Sequence, residues 1–326
     1  MHMLTTVVPV YNGERYLPAT LQCLAAQTRR PDRVIILDNC STDQTRSIVQ
    51  NFSGLKCEWR QHERNIGLLA NLNFGLKFAA ETQVLHLLMA DDLVKPAFYE
   101  KSMATLEPVP GHSMAYSFHE DIDVAGAVIG PAIRRPAGPA RTVPKTDFLG
   151  RQAELTTMLL PGVIFKTDYQ PPVCEFREFP QVADCLFLAE WAARCRQIVE
   201  VPEYLCQYRL HPFNATSANI HNLQSWLLDE WRVMQMVLPW IEESAVNHWL
   251  RARKLECLFA ARSWVKVDMM RRVKPEYARE IQATMRQTVG AIPAMLGWLA
   301  LRGRDALWRL QGRETKAETL LKAGIQ

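Results

Sequence analysis

The chain has 326 residues, 48% of them hydrophobic and 22% charged, with a formal net charge of +4. That is enough for one large core or two modest ones, and it is the balance of a soluble globular protein, which excludes disorder. The eight cysteines show no CxxC pair and no metal-ligand spacing, so they read as reduced, mostly buried thiols and none is nominated for chemistry. The first residues enter a strand-like segment without the three-part pattern of a signal peptide, and no apolar run reaches spanning length, so a cytoplasmic protein is expected.

Residues 4–10 (LTTVVPV) are rich in β-branched side chains and end at Tyr11-Asn12-Gly13, a first strand and its exit loop. Leu17, Leu21 and Leu24 then recur at helical spacing, with Pro18 tolerated in the first turn. Val34–Leu37 predicts a second strand ending at Asp38-Asn39, and Ser41 with Gln44 three residues later reads as a capping box opening a helix to about Phe52. Residues 56–62 (KCEWRQH) alternate weakly as a third strand, and Leu69, Leu72, Leu76 and Ala79 mark another amphipathic helix.

The stretch VLHLLMADD, residues 84–92, is the centre of this half. An apolar run suited to a strand buried on both faces stops abruptly at Asp91 and Asp92. In open α/β sheets the carboxyl ends of strands are where ligands sit, and paired carboxylates there suit a divalent cation carrying phosphate oxygens. The plain alternative is a solvated turn before Lys95 and Pro96 open the next helix. Strand and helix alternate from residue 4 to 92, which predicts a parallel α/β sheet. The glycine patterns of a dinucleotide fold and of a P-loop are both missing, and Gly13 stands alone in the first loop.

VVPVYNGERYLPATLQCLAAQT, VIILDNCSTDQT, RNIGLLANLNFGLKFA and LMADD occur in that order, and in this series the chain resembles the family 2 glycosyltransferases over roughly residues 4–215. The resemblance implies an α/β fold with a GT-A type nucleotide-binding sheet and flanking helices, in a transferase domain over 1–218 whose nucleotide-sugar half is about 1–110 and acceptor half about 111–218. The residue pattern adds a C-terminal helical appendage over 219–326. Pro9, Tyr11 and Glu14 match positions lining the base pocket of a nucleotide-sugar donor, Asp38 the acid that bonds the base, and Asn65 a loop residue near the nucleotide. Tyr11 and Glu14 also read as turn residues, Asp38 as a cap before Ser41, and Asn65 as ordinary turn chemistry. Asp91 matches the ribose partner and Asp92 the ligand of a divalent metal, Mn²⁺ or Mg²⁺. Many members carry Asp-x-Asp-Asp here, and Met89 stands in place of the first acid.

Residues 113–129 predict two strands joined near Ala125-Gly126, with Glu120, Asp121 and Asp123 as edge and turn residues. Residues 130–145, rich in Pro and basic side chains, read as a loop whose Arg134, Arg135 or Arg141 either meets phosphate or is simply solvated. Residues 163–167 form a strand matching the family's acceptor side, and Asp184, near the start of a helix patterned by Ala183, Phe187 and Trp191, matches the catalytic base. In YLCQYRLHPFNATS (204–217), His211 matches a metal or diphosphate partner, with a hydrogen-bonded structural histidine as the alternative, and Arg209 reads as a phosphate clamp or a core ion pair.

From about 220 the pattern is helical, with Trp226, Trp231, Trp240 and Trp249 mostly assigned to core. Residues 249–326 hold sixteen Lys or Arg against seven Asp or Glu, a net of +9. With Trp298, Leu299, Leu301, Leu307, Trp308 and Leu310 among Arg302, Arg304, Arg309 and Arg313, the segment reads either as membrane-surface helix or as an appendage packed on the catalytic domain or a second subunit. Nucleic acid is not an expected partner, since no binding motif accompanies the charge. The resulting expectation is a metal-dependent, inverting transfer from a nucleoside-diphosphate sugar, UDP favoured, to a glycan or lipid-linked hydroxyl in bacterial surface-polysaccharide synthesis, in the cytoplasm or at the inner membrane face. The alternative is a catalytically inactive nucleotide-sugar-binding scaffold of the same fold.

Overall fold

The computed structural model describes residues 2–109, 111–130, 137–156, 160–211 and 222–310, without the side chains of 308–310. The chain divides into two compact units, the first comprising Met1–Phe148, Thr157–Glu178 and Ala183–Arg209, the second Leu149–Thr156, Phe179–Val182 and Leu210–Gln326.

The first unit is built on one sheet. Strands β1 (Leu4–Val10), β2 (Arg33–Asp38), β3 (Glu58–Gln61) and β4 (Val84–Leu87) are parallel, as their alternation with helices α1 (Leu17–Ala25), α2 (Thr45–Asn51) and α3 (Leu68–Leu76) requires. Beyond α4 (Phe98–Leu106) come β6 (Ser113–Ile122), β7 (Val128–Gly130), β8 (Arg141–Thr142), α5 (Lys145–Ala153), β9 (Val163–Lys166), α6 (Ala183–Arg194) and β10 (Gln197–Arg209). The sheet order is β3-β2-β1-β4-β9-β6-β10-β5, where β5 is Leu93–Val94. Strand β9 is antiparallel to both its neighbours, β4 and β6, so the sheet as a whole is mixed.

Period-two alternation gives each strand two apolar faces. Val8, Val10 and Ile36 pack with Leu17, Leu21 and Leu24 of α1 in one cluster. Val7, Leu37 and Leu87 meet α3, where a Cβ on Gly75 would lie 3.3 Å from Val7 Cγ1, so glycine lets that helix sit close to the sheet. Each leucine fully buried in this way stabilises the fold by about 1.5–3 kcal/mol. His86, the one polar side chain in β4, is fully buried and hydrogen-bonded at both ring nitrogens, Nδ1 with the Tyr99 hydroxyl at 2.8 Å and Nε2 with the Pro161 carbonyl oxygen at 2.8 Å.

The capping box does not form. Helix α2 starts at Thr45, and the Ser41 hydroxyl is instead held by the carboxylate of Asp38, which draws it out of the helix terminus. In the second unit, α7 (Asp229–Val237), α8 (Ala245–Val273), α9 (Pro275–Val289) and α10 (Ala291–Leu310) carry the chain, and both α9 and α10 pack on α8. Glu230 is buried there between Arg262 and Lys266, at 2.8 and 2.7 Å. Trp226 is core as expected, but Trp249, in the first turns of α8, is 60% exposed.

Candidate functional site

The carboxyl ends of β1, β2 and β4 open on one edge of the sheet, where Val10 lies opposite Asp38 and Val7 opposite Leu87. The loops that follow β1 and β2 are laced to each other. Asn12, in left-handed backbone at φ 50°, accepts at Oδ1 from the Thr42 N–H (2.9 Å) and donates its own N–H to Ser41 Oγ (2.8 Å). The N–H groups of Gly13 and Glu14 donate to Thr45 Oγ1 (2.8 Å) and Asp43 Oδ2 (3.0 Å), and the Glu14 carboxylate accepts in return from the Gln44 N–H (3.1 Å). Asparagine tolerates the left-handed region better than most side chains, so Asn12 holds this conformation at little cost in strain. Tyr11 stands on that rim, 50% exposed, with an aromatic face on which a planar base can stack.

Beneath the rim the polar groups are engaged. Asp38 is fully buried and accepts from the Ser41 N–H (3.0 Å) and hydroxyl. A base reaching it has to displace that hydroxyl. Asn39 donates to Asn65 Oδ1 (2.8 Å) and accepts from the Ile66 N–H (2.8 Å), while the Gly67 N–H also donates to Asn65 Oδ1 (2.9 Å). Of the six positions matched to nucleotide-sugar binding, Tyr11, Glu14 and Asn65 are exposed at the rim, Pro9 and Asp38 are buried under it, and Asp91 is half-buried on the turn after β4.

After Leu87 the chain turns, with the Asp92 N–H donating to the Met89 carbonyl oxygen (3.2 Å). The Thr20 hydroxyl of α1 sits between the carbonyl oxygens of Ala90 (2.8 Å) and Asp92 (3.1 Å). Arg209, at the end of β10, fastens the same turn: its N–H donates to Asp92 Oδ1 (2.9 Å), its Nε to the Asp91 carbonyl oxygen (2.8 Å) and its Nη1 to the Asp123 carbonyl oxygen (3.0 Å). The guanidinium also lies over the Tyr16 ring at 4.8 Å. Arg209 therefore shapes the turn.

Asp92 is buried and Asp91 half-buried, so Asp91 is the more accessible of the pair. Burial first, then the charge of Asp91, pushes the Asp92 carboxyl well above the usual range, against the opposing pull of the Arg209 N–H and charge. Crowded carboxylates of this kind are relieved by a hard cation, and an all-oxygen donor pair suits Mg²⁺ or Mn²⁺. Among the described residues no three His, Cys, Asp or Glu side chains gather as a metal cluster. The remaining ligands of an ion held here would be phosphate oxygens and water, which is how Mg²⁺ sites are commonly completed. His211 is buried two residues beyond β10 and belongs to the second unit.

Asp184 lies in the first turn of α6, where the helix dipole favours a carboxylate, and its Oδ1 accepts from the Cys185 N–H (2.8 Å). Its side chain keeps part of its surface, while burial of the rest raises its pKa. Phe187, stacked on Phe176 at 4.1 Å, and Trp191, 4.7 Å from Phe165 of β9, fix the helix to the strand that adjoins β4. Arg134 and Arg135 lie outside the described residues. Arg141 falls in β8 and donates from Nε to Glu200 Oε1 (2.8 Å), nine residues from the carboxyl end of β10, so it is no phosphate partner at this edge. The roles of Thr20, Asn12 and Asn39 were not legible: a threonine on a helix and an asparagine in a turn carry no signal of what they will bind across the fold.

Residues 5–133 match the sequence model of the family described as Glycosyl transferase family 2. An uncharacterized glycosyltransferase of Haemophilus influenzae is 23% identical over 239 residues, 67% of this chain and 69% of that one. The poly(ribitol-phosphate) beta-N-acetylglucosaminyltransferase TarS of Staphylococcus aureus is 37% identical over 70 residues, 21% of this chain and 12% of its own. The crystal structure of TarS 1–349 in complex with UDP-GlcNAc superposes with a TM-score of 0.56 at 17% identity, covering 88% of this chain and 90% of that one. A mannosyltransferase from Pyrobaculum calidifontis in complex with GDP-Man and Mn2+ gives a TM-score of 0.56 at 16% identity, over 99% and 86% of the two chains. At these identities the structural likeness shows the fold, the GT-A arrangement that the sequence resemblance implied.

Proposed function

We propose that this chain, a glycosyltransferase whose residues 5–133 belong to glycosyl transferase family 2, moves a sugar from a nucleoside-diphosphate sugar to a hydroxyl of a glycan or lipid-linked acceptor in bacterial surface-polysaccharide synthesis. The observation that carries the reading is the shared sheet edge, where the laced rim bearing Tyr11 and the turn bearing Asp91 and Asp92 follow parallel strands. The nucleotide lies across this edge, with its base on Tyr11 beside Pro9, Glu14, Asp38 and Asn65 and its ribose on Asp91. UDP is the favoured carrier, on the family resemblance and on the UDP-GlcNAc complex of TarS.

Asp92 would hold a divalent ion, whose charge would offset the negative charge that develops on the leaving diphosphate. Asp184 takes the proton from the acceptor hydroxyl, which then attacks the anomeric carbon opposite the departing diphosphate. The configuration inverts and no covalent intermediate forms. The half-buried setting suits a base that must meet a hydroxyl and exclude bulk water.

Thermal melts with UDP-, GDP- and dTDP-sugars, each with and without Mn²⁺, test donor binding. One donor at about 100 times its Kd stabilises the fold by about 2.7 kcal/mol, and does so only with the metal. If no nucleotide sugar moves the melting temperature, the donor site is not where this reading puts it.

A further inference from the structure

Among its described side chains, helix α10 buries a narrow stripe. Ala294, Gly297 and Leu301, spaced i, i+3 and i+7, are buried against α8. A Cβ on Gly297 would come within 2.7 Å of Ala260 Cβ and of the Ala261 nitrogen, so the two backbones meet directly there. Ile292, Met295, Leu296, Leu299 and Leu307 face outward, 45–69% exposed. At 3.6 residues per turn they form one continuous band along the helix, and its first eleven residues, AIPAMLGWLAL, carry no charge. Exposed apolar bands of this extent mark a surface that something covers.

The rim of the band is aromatic and cationic. Trp298 lies at its edge with the Arg302 guanidinium 5.8 Å from its ring. Arg286 of α9 is exposed and shares with Trp264, Met295 and Trp298 the lining of a cavity of about 360 Å³. Arg271, Arg272, Lys274 and Arg279 are exposed on the same three-helix region, within the segment that carries +9. A second copy docked through this face would bring identical cations together across a two-fold axis, which disfavours that partner. Lipid phosphates supply the opposite charge. Among the described residues no helix is long and apolar enough to cross a membrane, so a charged-rim helix with one apolar face lies in the plane of the interface.

We propose that α10 docks this chain on an anionic membrane surface, with Ile292, Leu296 and Leu299 among the acyl chains, Trp298 at the headgroup level and Arg286 on a lipid phosphate. The inference is independent of the transfer reaction, so its test needs neither donor nor acceptor. The full chain is sedimented with vesicles of phosphatidylcholine alone or mixed with phosphatidylglycerol, and compared with a double variant, Ile292→Glu and Leu299→Glu, whose exposed positions leave the melting temperature unchanged. The wild type binds the anionic vesicles at least ~10-fold more tightly than the neutral ones, and added salt weakens the difference. The double variant loses most of that binding, and Arg286→Gln weakens it while sparing the fold. A wild type that ignores phosphatidylglycerol, or a double variant that binds as well as wild type, overturns the proposal. So does a wild type that is dimeric by sedimentation velocity and binds no vesicle while the double variant is monomeric, which would assign the band to a second copy.

Discussion

His86 ties the stability of the sheet to pH. Burial lowers its pKa from 6.5 to about 4, partly opposed by the Pro161 carbonyl oxygen. Between these values the unfolded chain holds a proton that the folded chain does not. Stability is therefore full above pH 6.5 and declines as the pH falls toward 4, by about 3 kcal/mol over the window. Urea unfolding of wild type and His86→Gln at pH 7 and pH 4.5 isolates this term: the wild-type midpoint drops further than that of the variant, by an amount of that order. At Asp184 the shift runs the other way. Because burial raises the folded pKa, the proposed base loses its charge on acidification at a higher pH than an ordinary carboxylate does. The acid limb of the transfer rate is displaced upward accordingly, and Asp184→Asn lowers the rate by about 10²–10⁴-fold while donor affinity measured by calorimetry holds. At Asp92 an asparagine still offers Oδ1 to the Arg209 N–H and removes a buried charge next to Asp91. Asp92→Asn then melts no lower than wild type in the absence of metal, and the metal-dependent stabilisation by donor disappears.

Among the elements, the parallel strands β1, β2 and β4 were legible because each is an apolar run ending abruptly in polar residues, and those ends carry the proposed donor site. The two-residue strands β5 and β8 were not, since two residues carry no period. The long strand β10 was hidden by its own irregularity: Pro202 and the register shifts between Val201, Tyr204 and Cys206 interrupt the alternation. That loss mattered, because β10 brings Arg209 to the acids across a separation of 117 residues in sequence. Asp38 was legible at the end of β2, yet its bond to Ser41, which cancels the capping box, depends on how the loop folds back. The rim formed by the loops after β1 and β2 is itself testable. Asn12→Ala removes the bond to the Thr42 N–H, costs about 1 kcal/mol in thermal melts and weakens donor binding, because Tyr11 is held by the same loop. In the helical unit, Gly297→Ala forces a methyl against the Ala261 nitrogen and the Cys257 carbonyl oxygen, 2.7 and 2.8 Å away. It costs about 1–3 kcal/mol by melting and leaves donor affinity unchanged.

At the scale of the molecule the charge is divided: residues 249–326 carry +9, so the remainder is about −5. This asymmetry was visible in the sequence, but the direction of the apolar residues on α10 was not, since a band at helical spacing reads equally as core or as surface until its neighbours are known. In the sheet unit, the proposed transfer is turnover of a nucleotide sugar through Asp184 and the paired acids. The most direct measurement is chromatographic detection of nucleoside diphosphate released from UDP-, GDP- and dTDP-sugars with Mn²⁺, in wild type, Asp184→Asn and Asp92→Asn, with and without a panel of glycan and lipid-linked acceptors. The account predicts release from one donor, accelerated by an acceptor, abolished in Asp92→Asn, and with the acceptor-driven part lost in Asp184→Asn. A donor that binds wild type with metal and is never turned over with any acceptor, or turnover that survives both substitutions, would contradict it.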